Sequence, residues 1–176
     1  MTLITDLAHL NVKYRTGGPF AAGIFNSETN RLIAPGVNLV TTSQASIAHA
    51  EIVAITLAQQ ALHHHDLGAD GLAPHELVTS TEPCAMCLGA IPWSGIKALT
   101  CGARDEDARA IGFDEGAKPH NWVEALEERG ISVTRDVHRI EATQVLQNYK
   151  KDGGIIYNGR RHTQQENEHG SETDNS

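Results

Sequence analysis

Two short pieces of this chain, His49-Ala50-Glu51 and Pro83-Cys84-Ala85-Met86-Cys87, restrict its fold more than any other feature. Each reads as the start of a helix and each carries side chains that bind metals. Cysteines three apart face the same side of a first helical turn, so both sulfurs can reach one ion. Pro83 suits such a start, where a backbone N–H has no helical partner to lose. The N-terminal end of a helix also carries partial positive charge, which favours thiolates and prepares Cys84 and Cys87 as ligands at neutral pH. His49 completes the set only if the fold brings the two helix starts together. One His and two Cys leave a tetrahedral zinc with its fourth position free, the arrangement of a catalytic rather than a structural centre.

His49 and Glu51 lie two residues apart, which on a helix body places them on nearly opposite faces. At the open end of a helix both can hang over the terminus, the imidazole toward the metal and the carboxylate into the space beside it. A carboxylate there can move protons, and water on zinc ionises near pH 7. The competing arrangement, a closed structural site, needs a fourth protein ligand from Cys101 or from His63, His64 or His65. Cys101 follows Ala98-Leu99-Thr100 in an expected strand, where an inert buried thiol is ordinary. The histidine triplet reads as a helix end, where imidazoles meet free carbonyls.

The rest of the chain sets the frame for this centre. Its 176 residues suit one domain, expected over 1–160, with a core that needs no disulfide staples. Three cysteines cannot close a complete disulfide framework, which favours metal or thiol chemistry. No apolar run approaches the roughly 18 residues of a membrane span, and the opening residues lack the pattern of a signal peptide, so the expected location is the cytoplasm. The formal charge is -8, and residues 162–176 hold four of the acids and no Lys or Arg, which leaves -4 on the body. An acidic body lacks the basic footprint of a nucleic-acid partner, and a small neutral substrate fits better.

Along the chain, Leu3, Leu7, Leu10 and Tyr14 predict an amphipathic helix that ends at Gly17-Gly18-Pro19. A hairpin follows, with strands over 20–25 and 31–40, the second interrupted by Pro35-Gly36. Caps among Thr41, Thr42, Ser43 and Ser46 open a helix carrying Ile47, Glu51, Ala54 and Leu57, which stops at the histidine triplet and Gly68. Strand 77–81, helix 84–93, strand 98–102, helix 106–111, a strand-like run over 131–137 and a helix over 141–150 complete the pattern. Strands alternating with helices imply a layered α/β fold with part of its sheet parallel. Residues 161–176 are polar and are expected to be a disordered tail.

His-x-Glu paired with Pro-Cys-x-x-Cys is the signature of zinc deaminases that act on nucleobases. Together with Gly17-Gly18-Pro19-Phe20, Gly36-Val37-Asn38, Thr41-Thr42-Ser43, the run from Thr81 to Ile91, and Gly112-Phe113-Asp114-Glu115, it makes the chain resemble the bacterial guanine deaminases of the cytidine deaminase-like superfamily. The resemblance spans roughly Gly17 to Gly116, with a weaker continuation to Tyr157. It implies a three-layer α/β/α fold around a mixed, mainly five-stranded sheet and one zinc per subunit. It further implies a homodimer in which the C-terminal segment can cross to the partner, and a place in purine catabolism.

By the same resemblance, Phe20 and Trp93 line the base pocket, Asn38 bonds the ring edge and Glu115 meets the amino side of guanine, while Ala50, Asp114 and Tyr157 join the substrate site. Guanine would lose ammonia by hydrolysis at C2, giving xanthine. Glu51 would carry a proton from water to ring N3, and Glu51 or Glu115 would protonate the departing amine. Other bases, nucleosides, amino-triazines or tRNA adenosine are the alternatives within the superfamily. A non-catalytic zinc module that binds protein or nucleic acid is the alternative outside it, and Glu51 beside His49 counts against that.

Overall fold

Five short runs pair edge to edge into one sheet in the computed structural model, which describes residues 1–160. β1 (Ala21–Asn26) and β2 (Leu32–Val37) form an antiparallel hairpin, and β1 pairs antiparallel with β3 (His75–Thr81) on its other side. β3, β4 (Ala98–Ala103) and β5 (Ser132–Thr134) run parallel, giving the order β2-β1-β3-β4-β5. Parallel neighbours need crossovers: α4 (Ala85–Ser94) joins β3 to β4, and α5 (Asp105–Ile111) with α6 (Trp122–Glu127) joins β4 to β5. The sheet is mixed and five-stranded, and the fold is the expected three-layer α/β/α arrangement.

Side-chain alternation along β3 divides the core between the two faces. Leu77 packs with Leu99, Ala54, Ala58 and Ile91 beneath α3 (Ala50–Ala61) and α4, while Val78 packs with Ile4, Ala8, Ala21 and Val145 beneath α1 (Thr2–Lys13) and α7 (Arg139–Lys151). α1 turns a different face inward from the one its leucines predict. Ile4, Thr5, Ala8 and Asn11 are buried, whereas Leu3, Leu10 and Tyr14 are exposed. Asn11 decides this, because its amide donates to the carbonyls of Gly18 and Asn38 at 2.8 and 2.9 Å and so fixes the rotation of the helix.

Several boundaries shift for identifiable reasons. Pro35 does not interrupt β2, since β2 is an edge strand where a missing N–H costs no ladder bond. Residues 40–49 hold a short helix, α2 (Val40–Ser43), then a turn, so α3 starts at Ala50 and Ile47 is left exposed. β5 is only three residues long, and α6, which the sequence pattern does not announce, lies against the core through Trp122 and Leu126. Gly36 lets α3 lie directly on β2: a Cβ there would stand 2.2 Å from the Ala50 carbonyl oxygen and 2.5 Å from the Ala54 nitrogen. That close approach places the start of α3 beside the sheet end where β3 runs into α4.

Candidate active site

His49 and Cys84 are the N-cap residues of α3 and α4, both extended (φ -70, ψ 154 and φ -66, ψ 171), so each side chain leaves the helix at its open end. Pro83 therefore stands one residue outside the helix rather than in its first turn. Cys84 Sγ lies 3.5 Å from His49 Nδ1, and donor atoms of His49, Cys84 and Cys87 all lie within 4.8 Å of one another. Two thiols and an imidazole at this spacing suit zinc in both softness and reach. Among the described residues no other His, Cys, Asp or Glu group assembles in this way. Cys101, buried in β4, and His63, His64 and His65 are not part of the set, so no fourth ligand from the described residues closes it.

Electrostatics set these groups apart from ordinary side chains. A hydrogen bond from Cys87, helped by His49, draws the Cys84 thiol down to about 4 against the opposing effect of burial. The same bond and burial push the Cys87 thiol up. Burial lowers the affinity of His49 for a proton, but its bond to Cys84 and the charges of Glu51, Cys84 and Glu115 outweigh that and raise it. Glu51 sits in the first turn of α3, and burial, then the Cys84 charge, raise it to about 7 despite His49.

These groups open onto a cavity of about 350 Å³ lined by Phe20, Asn38, Glu51, Thr81, Phe113 and Glu115 among others. Phe113 meets Phe20 and Tyr157 edge to face, at centroid distances of 4.9 and 5.3 Å, so three interlocked rings make an apolar wall. Asn38 is buried beside Tyr157, its Oδ1 accepting from the Val40 N–H at 3.2 Å. Gly18 keeps the space between Asn38 and Tyr157 clear, since a Cβ there would stand 2.6 Å from the Tyr157 hydroxyl. Glu115, beyond α5, is raised to about 8 by burial and by the charges of Cys84, Glu51 and Asp105, which Lys118 opposes. Its carbonyl accepts from the Ala85 N–H at 2.9 Å, tying its loop to the start of α4.

Of the expected site residues, His49, Glu51, Cys84, Phe20, Asn38, Asp114, Glu115 and Tyr157 line this cavity, and Cys87 is buried behind them. Tyr157 does so within its own chain. Two expectations are corrected. Trp93 is 86% exposed and off the cavity, because α4 turns Cys87 and Ile91 inward and Trp93 falls on the outer side. The Ala50 side chain packs into the core rather than lining the site. The Asp114 carboxylate faces its own loop, accepting from the Gly116 N–H at 3.1 Å and pairing with Arg109 at 3.6 Å.

Three residues went unassigned in the sequence. Phe113, inside the Gly-Phe-Asp-Glu piece, supplies the central ring of the wall. Thr81 shares a strand face with Leu77 by alternation, which was a usable signal. Buried Glu82 gave none, because its partners are remote: its carboxylate accepts from Asp105 N–H at 3.1 Å, Lys118 at 3.2 Å and Arg135 at 2.6 Å.

The chain belongs to the cytidine and deoxycytidylate deaminase family, whose zinc-binding region matches residues 1–103. Within that family it is 42% identical over 125 residues to a guanine deaminase of Bacillus subtilis (strain 168), an alignment covering 71% of this chain and 76% of that one. A solved structure of guanine deaminase from Nitrosomonas europaea superposes with a TM-score of 0.83 at 49% identity, covering 85% of this chain and 82% of that one. The structure of NE0047 in complex with 2,6-diaminopurine superposes with a TM-score of 0.85 at 50% identity, covering 89% and 82%.

Proposed function

We propose that this chain hydrolyses guanine to xanthine and ammonia, with one zinc ion per subunit held by His49, Cys84 and Cys87. The observation that carries the proposal is the pair of buried carboxyls, Glu51 and Glu115, on one aromatic-walled cavity that His49 and Cys84 of the three-donor set also line, with Cys87 directly behind. Likeness to guanine deaminases supports the choice of base. Zinc bound there supplies Lewis acidity and makes water ionisable near neutral pH. Glu51, raised to about 7, exchanges protons readily at neutral pH: it takes one from water as the oxygen bonds to C2 and delivers it to ring N3. Glu115 accepts from the N1–H and N2–H₂ edge; as the C2–N bond breaks, the new C2 hydroxyl gives its proton to Glu51 or Glu115, which passes it to the amine, leaving a C2 carbonyl and ammonia.

Asn38 bonds the ring edge, Phe20, Phe113 and Tyr157 stack around it, and Asp114 shapes the loop that presents Glu115. Tyr157 acts on its own chain's cavity in this reading. Exposed Trp93 belongs to a homodimer contact, checked by sedimentation of wild type and Trp93→Ala. The experiment that tests the function is ammonia release by the zinc-loaded protein from a panel of guanine, other aminopurines, pyrimidines, amino-triazines and a tRNA anticodon stem. Guanine as the best substrate supports the reading, and preference for another base overturns it.

A further inference from the structure

A second polar assembly lies behind the cavity wall and touches none of the reacting groups. Lys118 does not line the main cavity; it borders a neighbouring one with Trp122 and Arg135. Its side chain is only 6% exposed, yet it belongs to a loop with no regular secondary structure. The ammonium pairs with Glu82 at 3.2 Å and Asp105 at 3.7 Å, and stands 4.5 Å over the Trp122 ring. Burying a lysine in a loop is costly unless its charge is matched, and this one is matched from three sides. The anchors belong to three elements: Glu82 joins β3 to the Cys84 turn, Asp105 starts α5 and Trp122 starts α6.

Three residues earlier in the same loop is Glu115, whose carbonyl already holds the Ala85 N–H. Arg109 donates to the Gly116 carbonyl at 3.0 Å. The loop is thus pinned at Glu115 itself and at two points after it, and the far pin is an ion pair to the residue two before Cys84. We propose that Lys118 is a positioning residue for Glu115, holding the loop against the metal-ligand turn so that this carboxylate meets the bound base. The inference rests on the reading of Glu115 as a substrate contact. A misplacement of about 1 Å in such a group can cost on the order of 10²-fold in rate, although the displaced residue never touches substrate.

The test compares zinc-loaded wild type, Lys118→Met and Lys118→Arg. Methionine keeps the length and can still pack on Trp122, while arginine keeps the charge. Glu82 retains Arg135 and the Asp105 N–H in each variant, so the turn keeps two of its three bonds. Lys118→Met should keep its zinc, show faster amide exchange across 112–121, and lose about tenfold or more in kcat/KM, with KM rising. Lys118→Arg should restore most of both. Unchanged exchange in Lys118→Met, or normal kcat/KM despite faster exchange, overturns the proposal. Wild type is run on the full base panel. If it prefers a base other than guanine, the proposed function fails, while Lys118 is still judged by loop exchange and by kcat/KM on the preferred base.

Discussion

The Cys84 sulfur stands 3.5 Å from His49 Nδ1, although the two residues are 35 positions apart in the chain. Each is the cap of a different helix, so one contact links the starts of α3 and α4. His49→Ala and Cys84→Ser should therefore lose zinc and some stability together, because the ion would join the starts of two helices from different parts of the chain. Cys101→Ser should keep its zinc, since that thiol is buried in β4 away from the donors. Metal content of the purified variants checks both statements.

Glu51→Gln should retain zinc and fold normally. The amide fills the same volume but cannot take a proton from water, and positioned acid–base groups contribute about 10²–10⁴-fold. Turnover should fall by at least about 10²-fold. Zinc analysis and an ammonia assay on one sample decide it, and near-normal activity in a zinc-loaded variant removes Glu51 from the reaction.

Glu115→Gln should change the pH dependence of stability as well as activity. The folded-state value of about 8 lies above the ordinary 4.5 because burial disfavours the charged form. Between those values the folded chain keeps a proton that the unfolded chain releases, so stability from this group is complete at low pH and is lost as pH rises through about 8. Replacing it removes that slope: wild type should lose more stability than Glu115→Gln between pH 5 and pH 8. Urea midpoints of both zinc-loaded proteins measure the difference. Guanine turnover should drop as well, because the N1–H and N2–H₂ donors of a bound base favour the ionised form of Glu115, which offers two acceptors where the amide offers one and adds a donor facing the base.

Glu82→Gln should cost about 3 kcal/mol of stability, since it strips the matching charge from buried Lys118. Arg135 is partly exposed and can turn to solvent, which keeps the loss toward the lower end of such effects. Denaturant unfolding at constant zinc tests this, and a change within about 0.5 kcal/mol, typical of surface sites, contradicts the buried-pair account.

The elements were legible where local pattern and tertiary environment agree. β3 and β4 are largely buried on both faces and read as short strands, β3 from its β-branched Val78, Thr79 and Thr81 and β4 from Ala98-Leu99-Thr100, and the metal-ligand motifs read as helix starts because the first turn of a helix is a local feature. α1 misled because two faces occur at helical spacing, and the one that contains Asn11 won through contacts to Gly18 and Asn38. α6 left no pattern long enough to see. Its place follows from Trp122 entering the core while Lys118 and Arg135 cover the ring.

By itself the sequence determined the three candidate donors, the carboxylate beside them and the alternation of strands with helices, because each is written in spacings of a few residues. It could not say that the two caps meet, that Trp93 faces outward while Phe113 walls the cavity, or that buried Glu82 finds the charges of Lys118 and Arg135 and the N–H of Asp105. Those outcomes depend on the register of β3 against β1 and β4 and on how closely α3 can approach β2 at Gly36. The physical reason is that spacing along a helix or strand is set by the backbone over a few residues. The distance between two such segments is set only when the whole sheet packs, and the burial that raises Glu51 and Glu115 exists only then.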